Sequence, residues 1–575
     1  MKVVIVGGVA GGASAAARLR RLDEKTEIVI LERGAYISYA NCGLPYYLSG
    51  EIQKEEDLVI QTPEMFGKRF NLDIRTNQEV MEIDRIKKTV LIKEQIKNKS
   101  YEEKYDKLLL SPGAKPFIPP IKGLDADKLF TLRDIPDVLA IKEFLEKKNP
   151  RRVVIFGAGY IGIEIAENLK KAGFLVTIIE LMDQILGPLD YEMATLVHQH
   201  LKEKDVEFYL SDPVQSIEHE GSCQILILTS GKKIKTDMII MGVGVRPEIG
   251  LAKDAALDIG KTGGIKVNEY LQTSDPDIYA VGDAIEVLDY ISGNAALIPL
   301  AGPANKQGRT AADNILGKKE VYNGTQGSSI IKVFDITIAT TGNNEKLLKR
   351  NKIAYQKSYI HSPSHAGYYP GASPISLKIL FSPDDGKILG AQAVGKEGVD
   401  KRIDVIATAI RAGLKVSDLE NLELCYAPPY GSAKDPINMA GYVANNIIKG
   451  DLEIFHWDEF EQYDLNNSII LDVRKPNECE EGMIEKAINI PLDELRDRLG
   501  ELDNNKMILI YCQVGLRGYL AYRILKLSGF SKVKNLSGGY KTYYPTTCRQ
   551  DNCPLYSYEK ILKSDVLEAD SKKWD

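Results

Sequence analysis

Residues 1–32 read MKVVIVGGVAGGASAAARLRRLDEKTEIVILE. The run KVVIV is rich in Val and Ile and does not alternate with polar residues, so it reads as a strand buried on both faces of a parallel sheet. Gly7, Gly8, Gly11 and Gly12 follow as a turn that opens a helix of small residues. Glycine lets a backbone turn tightly and close on a pyrophosphate, whose charge the helix N-terminus favours. IVILE is the next strand, and it ends on Glu32, 25 residues after Gly7, where a carboxylate can accept from ribose hydroxyls. Val9 stands where the usual G-x-G-x-x-G has its middle glycine. One positive residue followed by an apolar run also mimics a signal peptide, but the chain continues as a nucleotide-binding unit, which argues against one.

The pattern recurs at residues 151–180, RRVVIFGAGYIGIEIAENLKKAGFLVTIIE. Here Gly157, Gly159 and Gly162 complete the fingerprint, and Glu180 ends the following strand 23 residues after Gly157. One such motif is weak evidence, whereas two in strand–turn–helix–strand–acid order point to two dinucleotide sites. A carboxylate at Glu180 accepts from a 2′-hydroxyl and repels a 2′-phosphate. LMDQIL, immediately after it, brings no Arg or Lys to compensate. NADH is therefore expected over NADPH.

The 575 residues suggest about four domains. A net charge of −6 and the lack of a long basic run argue against a nucleic-acid partner. No stretch approaches the ~18 apolar residues of a membrane helix. Seven widely spread cysteines, at 42, 223, 425, 479, 512, 548 and 553, are no disulfide framework and suit individual thiols in a reducing cytoplasm. Cys548 and Cys553 read as incidental surface thiols, with a local disulfide as the alternative. The six histidines form no ligand-spaced cluster, and no metal site is expected.

Two further stretches extend the pattern. TSDPDIYAVGDA (273–284) is an apolar strand leading to Asp283, and LLLSPGAKP (108–116) is a short crossover. Together with the two glycine motifs they resemble the flavoprotein disulfide reductases that bind two dinucleotides. The resemblance implies an α/β chain in which two Rossmann-like domains precede an α+β dimerisation domain and a further α/β domain. The expected boundaries are 1–115 with 255–325 for FAD, 116–254 for NAD(P)H, 326–448 for dimerisation, and a linker at 449–460 before 461–575. It also implies FAD contacts at Arg33, Gly113, Asp283 and Ala301, with Asp283 on the ribityl chain.

ISYANCGLPYY (37–47) sets this chain apart within that group, because Cys42 has no cysteine nearby in sequence. Ser38-Tyr39-Ala40-Asn41-Cys42 resembles the single-cysteine branch, which includes coenzyme A-disulfide reductases, persulfide reductases and NADH oxidases. A lone thiol can pair with an external thiol, cycle through sulfenic acid or carry a persulfide. The resemblance implies a Cys42 thiolate against the isoalloxazine and coenzyme A contacts at Ser14, Arg18, Arg21, Ser38, Asn41 and Lys434. A solvated basic face is the alternative reading of Arg18 and Arg21. HAGYYPGA (365–372) and LCYAPPYGSAKDPINMAG (424–441) imply a homodimer with active-site tyrosines Tyr368 and Tyr426 reaching in from the other subunit, Tyr369 being a rival to Tyr368. In VDKRIDVIATAIRAG, apolar residues at 399, 403, 406, 407 and 410 mark one helical face of core or interface.

From residue 468 the chain reads SIILDVRKPNECEEGMIEKAINIPL, later MILIYCQVGLRGYLAYRILKLSGF and KVKNLSGGY, alternating strands and helices. This resembles a rhodanese domain with Cys512 as sulfur carrier, Arg517 and the helix N-terminus favouring its thiolate, and Asp472 and Arg474 as scaffold. The expected function is FAD-dependent, NADH-driven reduction of persulfide or polysulfide, including coenzyme A persulfide. In it Cys512 supplies sulfane sulfur and coenzyme A carries it to Cys42. The alternatives are a coenzyme A-disulfide reductase, an NADH oxidase and a non-enzymatic sulfur sensor.

Overall fold

A computed structural model describes residues 1–221 and 223–547, so Cys548 and Cys553 lie outside the described residues. Two compact units emerge: Met1–Asp183 with Val206–Gly327, and Gln184–Asp205 with Ser328 onward.

The first unit contains two five-stranded parallel sheets. One runs Ile278–Ala280, Lys107–Leu110, Lys2–Val6, Glu27–Leu31, Asp73–Arg75. Val6 pairs with Leu31 on one side and Leu110 on the other, so the strand order reverses at Lys2–Val6. In such sheets the crevice beyond that strand's carboxyl end is where ligands bind. Val3, Val4 and Ile5 are fully buried, and each contributes about 1.5–3 kcal/mol relative to exposure. The second sheet runs Glu207–Leu210, Leu175–Glu180, Arg152–Phe156, Met238–Met241, Leu129–Thr131. Helix Ala10–Leu22 crosses helix Ala301–Ile315 at close range, because a Cβ on Gly308 would stand 2.3 Å from the Gly11 carbonyl oxygen.

The second unit is built on an antiparallel sheet ordered Ser329–Val333, Ile336–Gly342, Ile388–Gly395, Pro374–Phe381, Gln356–Pro363. Helix Val399–Arg411 buries Val399, Ile403, Ile406 and Ile410 as its periodicity requires. It also buries Arg402, which bonds to Asp435 at 2.7 Å. A second, all-parallel sheet runs Ile454–Phe455, Val533–Leu536, Met507–Tyr511, Ser468–Asp472, Ile488–Asn489. Helix Gly539–Thr547, which follows strand Val533–Leu536, meets the antiparallel sheet where His361 Nε2 lies 2.9 Å from Thr542 Oγ1.

Helix Tyr191–Glu203 falls inside the stretch expected to bind nucleotide, yet it belongs to this second unit. Asp190 and Glu192 at its start meet Lys378 on the antiparallel sheet, and Glu345 joins them. The fully buried Lys378 ammonium bonds to Asp190 at 2.8 Å and to the carboxylates of Glu192 and Glu345. Lys357 binds Glu345 at 3.1 Å, and the Tyr359 hydroxyl donates to Glu192 at 2.9 Å. Burial alone would push Glu345 up, but Lys378 and Lys357 hold it well below the carboxylate range.

Candidate functional site

The two glycine motifs fold alike. Gly7 N–H donates to the Leu31 carbonyl at 2.9 Å and Gly157 N–H to the Ile179 carbonyl at 2.8 Å. Both glycines have left-handed φ, 95° and 94°. A Cβ on Gly12 would stand 1.9 Å from the Gly7 oxygen, and one on Gly162 would stand 2.1 Å from the Gly157 oxygen. No other residue type fits such turns. Nothing lies within 4 Å of where a Cβ on Gly159 would sit, and Val9 stands at the corresponding position of the first turn.

The acids match as well. Glu32 accepts from Gly8 N–H at 2.9 Å and Gly34 N–H at 2.8 Å. Glu180 accepts from Ala158 N–H at 2.7 Å and Met182 N–H at 2.9 Å. Each carboxylate is thus aimed by the loop it follows, and its oxygens keep lone pairs for a ribose. Arg33 is held by Glu248 at 2.8 and 2.9 Å, and Arg133 binds the same carboxylate at 2.8 Å. Gly113 takes a left-handed φ of 73°. Ala301 begins the helix Ala301–Ile315. Asp283 sits just past the strand Ile278–Ala280, on the same side as the first glycine turn, and burial raises its pKa.

Cys42 lies in the single turn Asn41–Gly43 that leads into helix Leu44–Ser49. It forms no disulfide and its surface is exposed. Ser38 holds the approach, with a left-handed φ of 46° and its N–H donating to the Gly8 carbonyl at 3.0 Å. By itself the protein around Cys42 favours the neutral thiol. Desolvation by the surrounding protein pushes its pKa up, and the negative charges of Glu164 and Asp283 push it further. Glu164 is itself raised to about 7 by burial and by Glu167. Ionisation of Cys42 therefore needs a counter-charge or donor from what binds beside it. Glu164 was not singled out from the sequence. Its one signal was a charged residue within the apolar run YIGIEIAENL of a helix.

Among the positions expected to hold coenzyme A, Ser14 donates to Asn305 Oδ1 at 2.5 Å and Asn41 donates to the Arg133 carbonyl at 3.3 Å. Arg18 is engaged by Asp313, with bonds of 2.8 and 3.2 Å. Arg21 and Lys434 are exposed. Tyr368 and Tyr426 come together, hydroxyl to hydroxyl at 3.1 Å, whereas Tyr369 packs edge-on against His365 with ring centroids 5.7 Å apart.

Cys512 is fully buried at the end of strand Met507–Tyr511, and Gly515 N–H donates to its Sγ at 3.1 Å. Arg517 makes two 2.7 Å bonds to Glu478. Asp472 and Arg474 are fully buried and bonded at 2.7 Å.

The sequence description of the pyridine nucleotide-disulphide oxidoreductases matches residues 1–308, and that of their dimerisation domain matches 328–435. The chain belongs to the pyridine nucleotide-disulphide oxidoreductase family. A rhodanese-like domain matches residues 457–545 of this oxidoreductase. Its structure resembles the crystal structure of reduced Bacillus anthracis CoADR-RHD, with a TM-score of 0.93 and 54% identity, over 95% of this chain and 98% of that one. It also resembles an NAD-dependent persulfide reductase from A. fulgidus, with a TM-score of 0.88 and 40% identity, over 95% and 100% of the two chains. A coenzyme A disulfide reductase of Staphylococcus haemolyticus is 35% identical over 447 residues, covering 78% of this chain and all of that protein. No helix among the described residues is long and apolar enough to cross a membrane.

Proposed function

We propose that this oxidoreductase uses FAD and NADH to reduce persulfides and polysulfide, including coenzyme A persulfide, to sulfide, as a homodimer in the cytoplasm. The domain limits given above and the flavin, nicotinamide and coenzyme A contacts named there belong to the same proposal. One observation carries it: a chain with an undisulfided Cys42 beside a flavin-type glycine turn also carries Cys512 on a loop whose amide faces the sulfur. A lone thiol by a redox cofactor needs an external sulfur partner, and a buried thiol on an amide-lined loop suits a sulfane carrier.

Glu32 and Asp283 would hold the ribose and ribityl hydroxyls of FAD, which, when bound, supplies the route for NADH's electron pair to sulfur. Glu180 favours the 2′-hydroxyl of NADH. Cys512 takes sulfane sulfur from a donor, and coenzyme A receives it. Cys42 attacks the outer sulfur of that persulfide, forming its own persulfide as the coenzyme A thiolate leaves. The Tyr368–Tyr426 pair donates a proton as negative charge develops on the leaving sulfur. Two-electron reduction of the Cys42 persulfide releases sulfide.

Anaerobic NADH consumption with polysulfide, coenzyme A persulfide and coenzyme A disulfide, with sulfide measured in parallel, tests this reading. Cys42→Ser should stop all three reactions, and Cys512→Ser should stop sulfide release from polysulfide alone. Equal rates in wild type and Cys42→Ser would overturn it. The Staphylococcus relative favours a second reading, coenzyme A-disulfide reduction as the main activity. That reading predicts fastest turnover with the disulfide and no effect of Cys512→Ser.

A further inference from the structure

Both guanidinium groups near the Cys512 loop, Arg517 and Arg474, are bonded to carboxylates. Arg517 is the second residue of helix Leu516–Leu527, which starts directly after the Cys512 loop. A guanidinium there would draw anions toward the sulfur. Instead, its Nη1 and Nη2 each bond to Glu478 at 2.7 Å, with Arg517 and Glu478 side chains 23% and 9% exposed. Glu478 is fixed in turn, because its Oε2 accepts from Lys475 N–H at 2.9 Å. Arg474, the next guanidinium, is bound by Asp472. Lys541, whose backbone N–H binds the Gln513 carbonyl, is buried and pushed down to about 7, and its charge acts on His361 of the antiparallel sheet. Leu516 and Leu520, one turn apart on the helix that follows the loop, are exposed.

We infer that Glu478 is a specificity-determining residue that acts through Arg517. It cancels the guanidinium charge, so that the loop takes sulfane sulfur from monoanionic organic persulfides and discriminates against the thiosulfate dianion. The inference rests on Cys512 being a sulfane carrier, as proposed above. In the favoured step the Cys512 thiolate attacks the terminal sulfur of R–S–S⁻. The Cys512–S bond forms as the RS–S bond breaks, and RS⁻ leaves with the bonding pair. With thiosulfate the same exchange would expel sulfite. Neither step changes the net oxidation state, and the organic donor brings its own apolar substituent to Leu516 and Leu520. A freed Arg517 would instead pair with a sulfonate oxygen, as guanidinium groups do with oxyanions.

The test uses the full chain without NADH, so that the flavin reaction takes no part. Propyl persulfide, a monoanion with an apolar substituent, and thiosulfate serve as donors and cyanide as acceptor, with thiocyanate measured. Glu478→Gln keeps the side-chain shape and an acceptor for Lys475. It should raise the thiosulfate-to-persulfide ratio of kcat/KM at least tenfold, through the thiosulfate KM, and added salt should erode that gain. Arg517→Gln should move the ratio the opposite way, and Glu478→Gln/Arg517→Gln should return it to within about twofold of wild type. Lost packing would move both single variants in the same direction, so opposite movements of the two assign the effect to charge. An unchanged ratio with persulfide transfer intact overturns the role of Glu478. Absence of thiocyanate from both donors in wild type overturns the sulfane-carrier reading itself.

Discussion

The hydroxyls of Tyr368 and Tyr426, 58 residues apart in sequence, stand 3.1 Å from each other. Both side chains are largely exposed, at 60% and 50%, so this contact is made at a surface and not in a core. Two phenols in mutual hydrogen bond can pass one proton outward while the second steadies the first. Tyr368→Phe and Tyr426→Phe are each expected to lower NADH-dependent turnover of coenzyme A disulfide about a hundredfold. The double variant should be scarcely worse than the weaker single one, because the pair acts as a unit. Tyr369→Phe, whose ring packs on His365, should leave turnover near wild type. Steady-state assays of the four proteins check this.

Glu164 and Asp283 oppose ionisation of Cys42. Glu164→Gln removes one of those charges, so the thiol should ionise at lower pH. The rate of iodoacetamide labelling at Cys42, followed against pH, should shift toward acid. In wild type, Glu164 loses its proton near pH 7. Its charge therefore opposes the thiolate most above that pH and least below it. A profile that does not move would show that Glu164 does not act on Cys42.

Glu180 carries the choice of nicotinamide cofactor. Glu180→Gln keeps an acceptor for the amides of Ala158 and Met182 but removes the charge facing a 2′-phosphate. The preference for NADH over NADPH, as a ratio of kcat/KM, should fall roughly tenfold. The change should lie in the KM for NADPH.

Lys378 is the cation shared by three buried carboxylates. Lys378→Met removes that cation, leaving Glu192 and Asp190 with neutral donors such as Tyr359 and Gln392 and leaving Glu345 its bond to Lys357. A loss of about 3–5 kcal/mol is expected from denaturant unfolding. Burial already raises Asp190, and without the ammonium it rises further and Glu192 is no longer held down. Such carboxylates destabilise the fold increasingly as pH rises through and beyond the unfolded range near 4. The variant should therefore lose least relative to wild type in acid and most at neutral pH.

Much of this architecture is legible in the sequence because local chemistry is repeated. The glycine turns and the acids Glu32 and Glu180 sit at fixed distances along the chain, and backbone geometry leaves them few options. The apolar face of 399–411 is equally plain from its period. Arg402 was hidden, since it is a charged residue on that face whose burial is made tolerable by Asp435, 33 residues on, and by the Ser364 carbonyl, 38 residues back. The Lys378 cluster was hidden for the same reason: its members come from positions 190, 192, 345 and 378, and no spacing rule joins them. Around the sulfur atoms, the residue types could be read but not their charge balance. Arg517 reads as a cation in the sequence, yet in three dimensions Glu478 answers it. Cys42 reads as a reactive thiol, yet its neighbours are acids.

Helix Tyr191–Glu203 lies in sequence between strands of the second parallel sheet, yet it supplies counter-ions to a lysine of the antiparallel one. The chain is thus stitched and not beaded. Excising 116–254 would remove Asp190 and Glu192 and strip Lys378 of two anions. Swapping in a nucleotide module from another protein would succeed only if the graft brought matching acids. Recombination of such modules has to respect this seam.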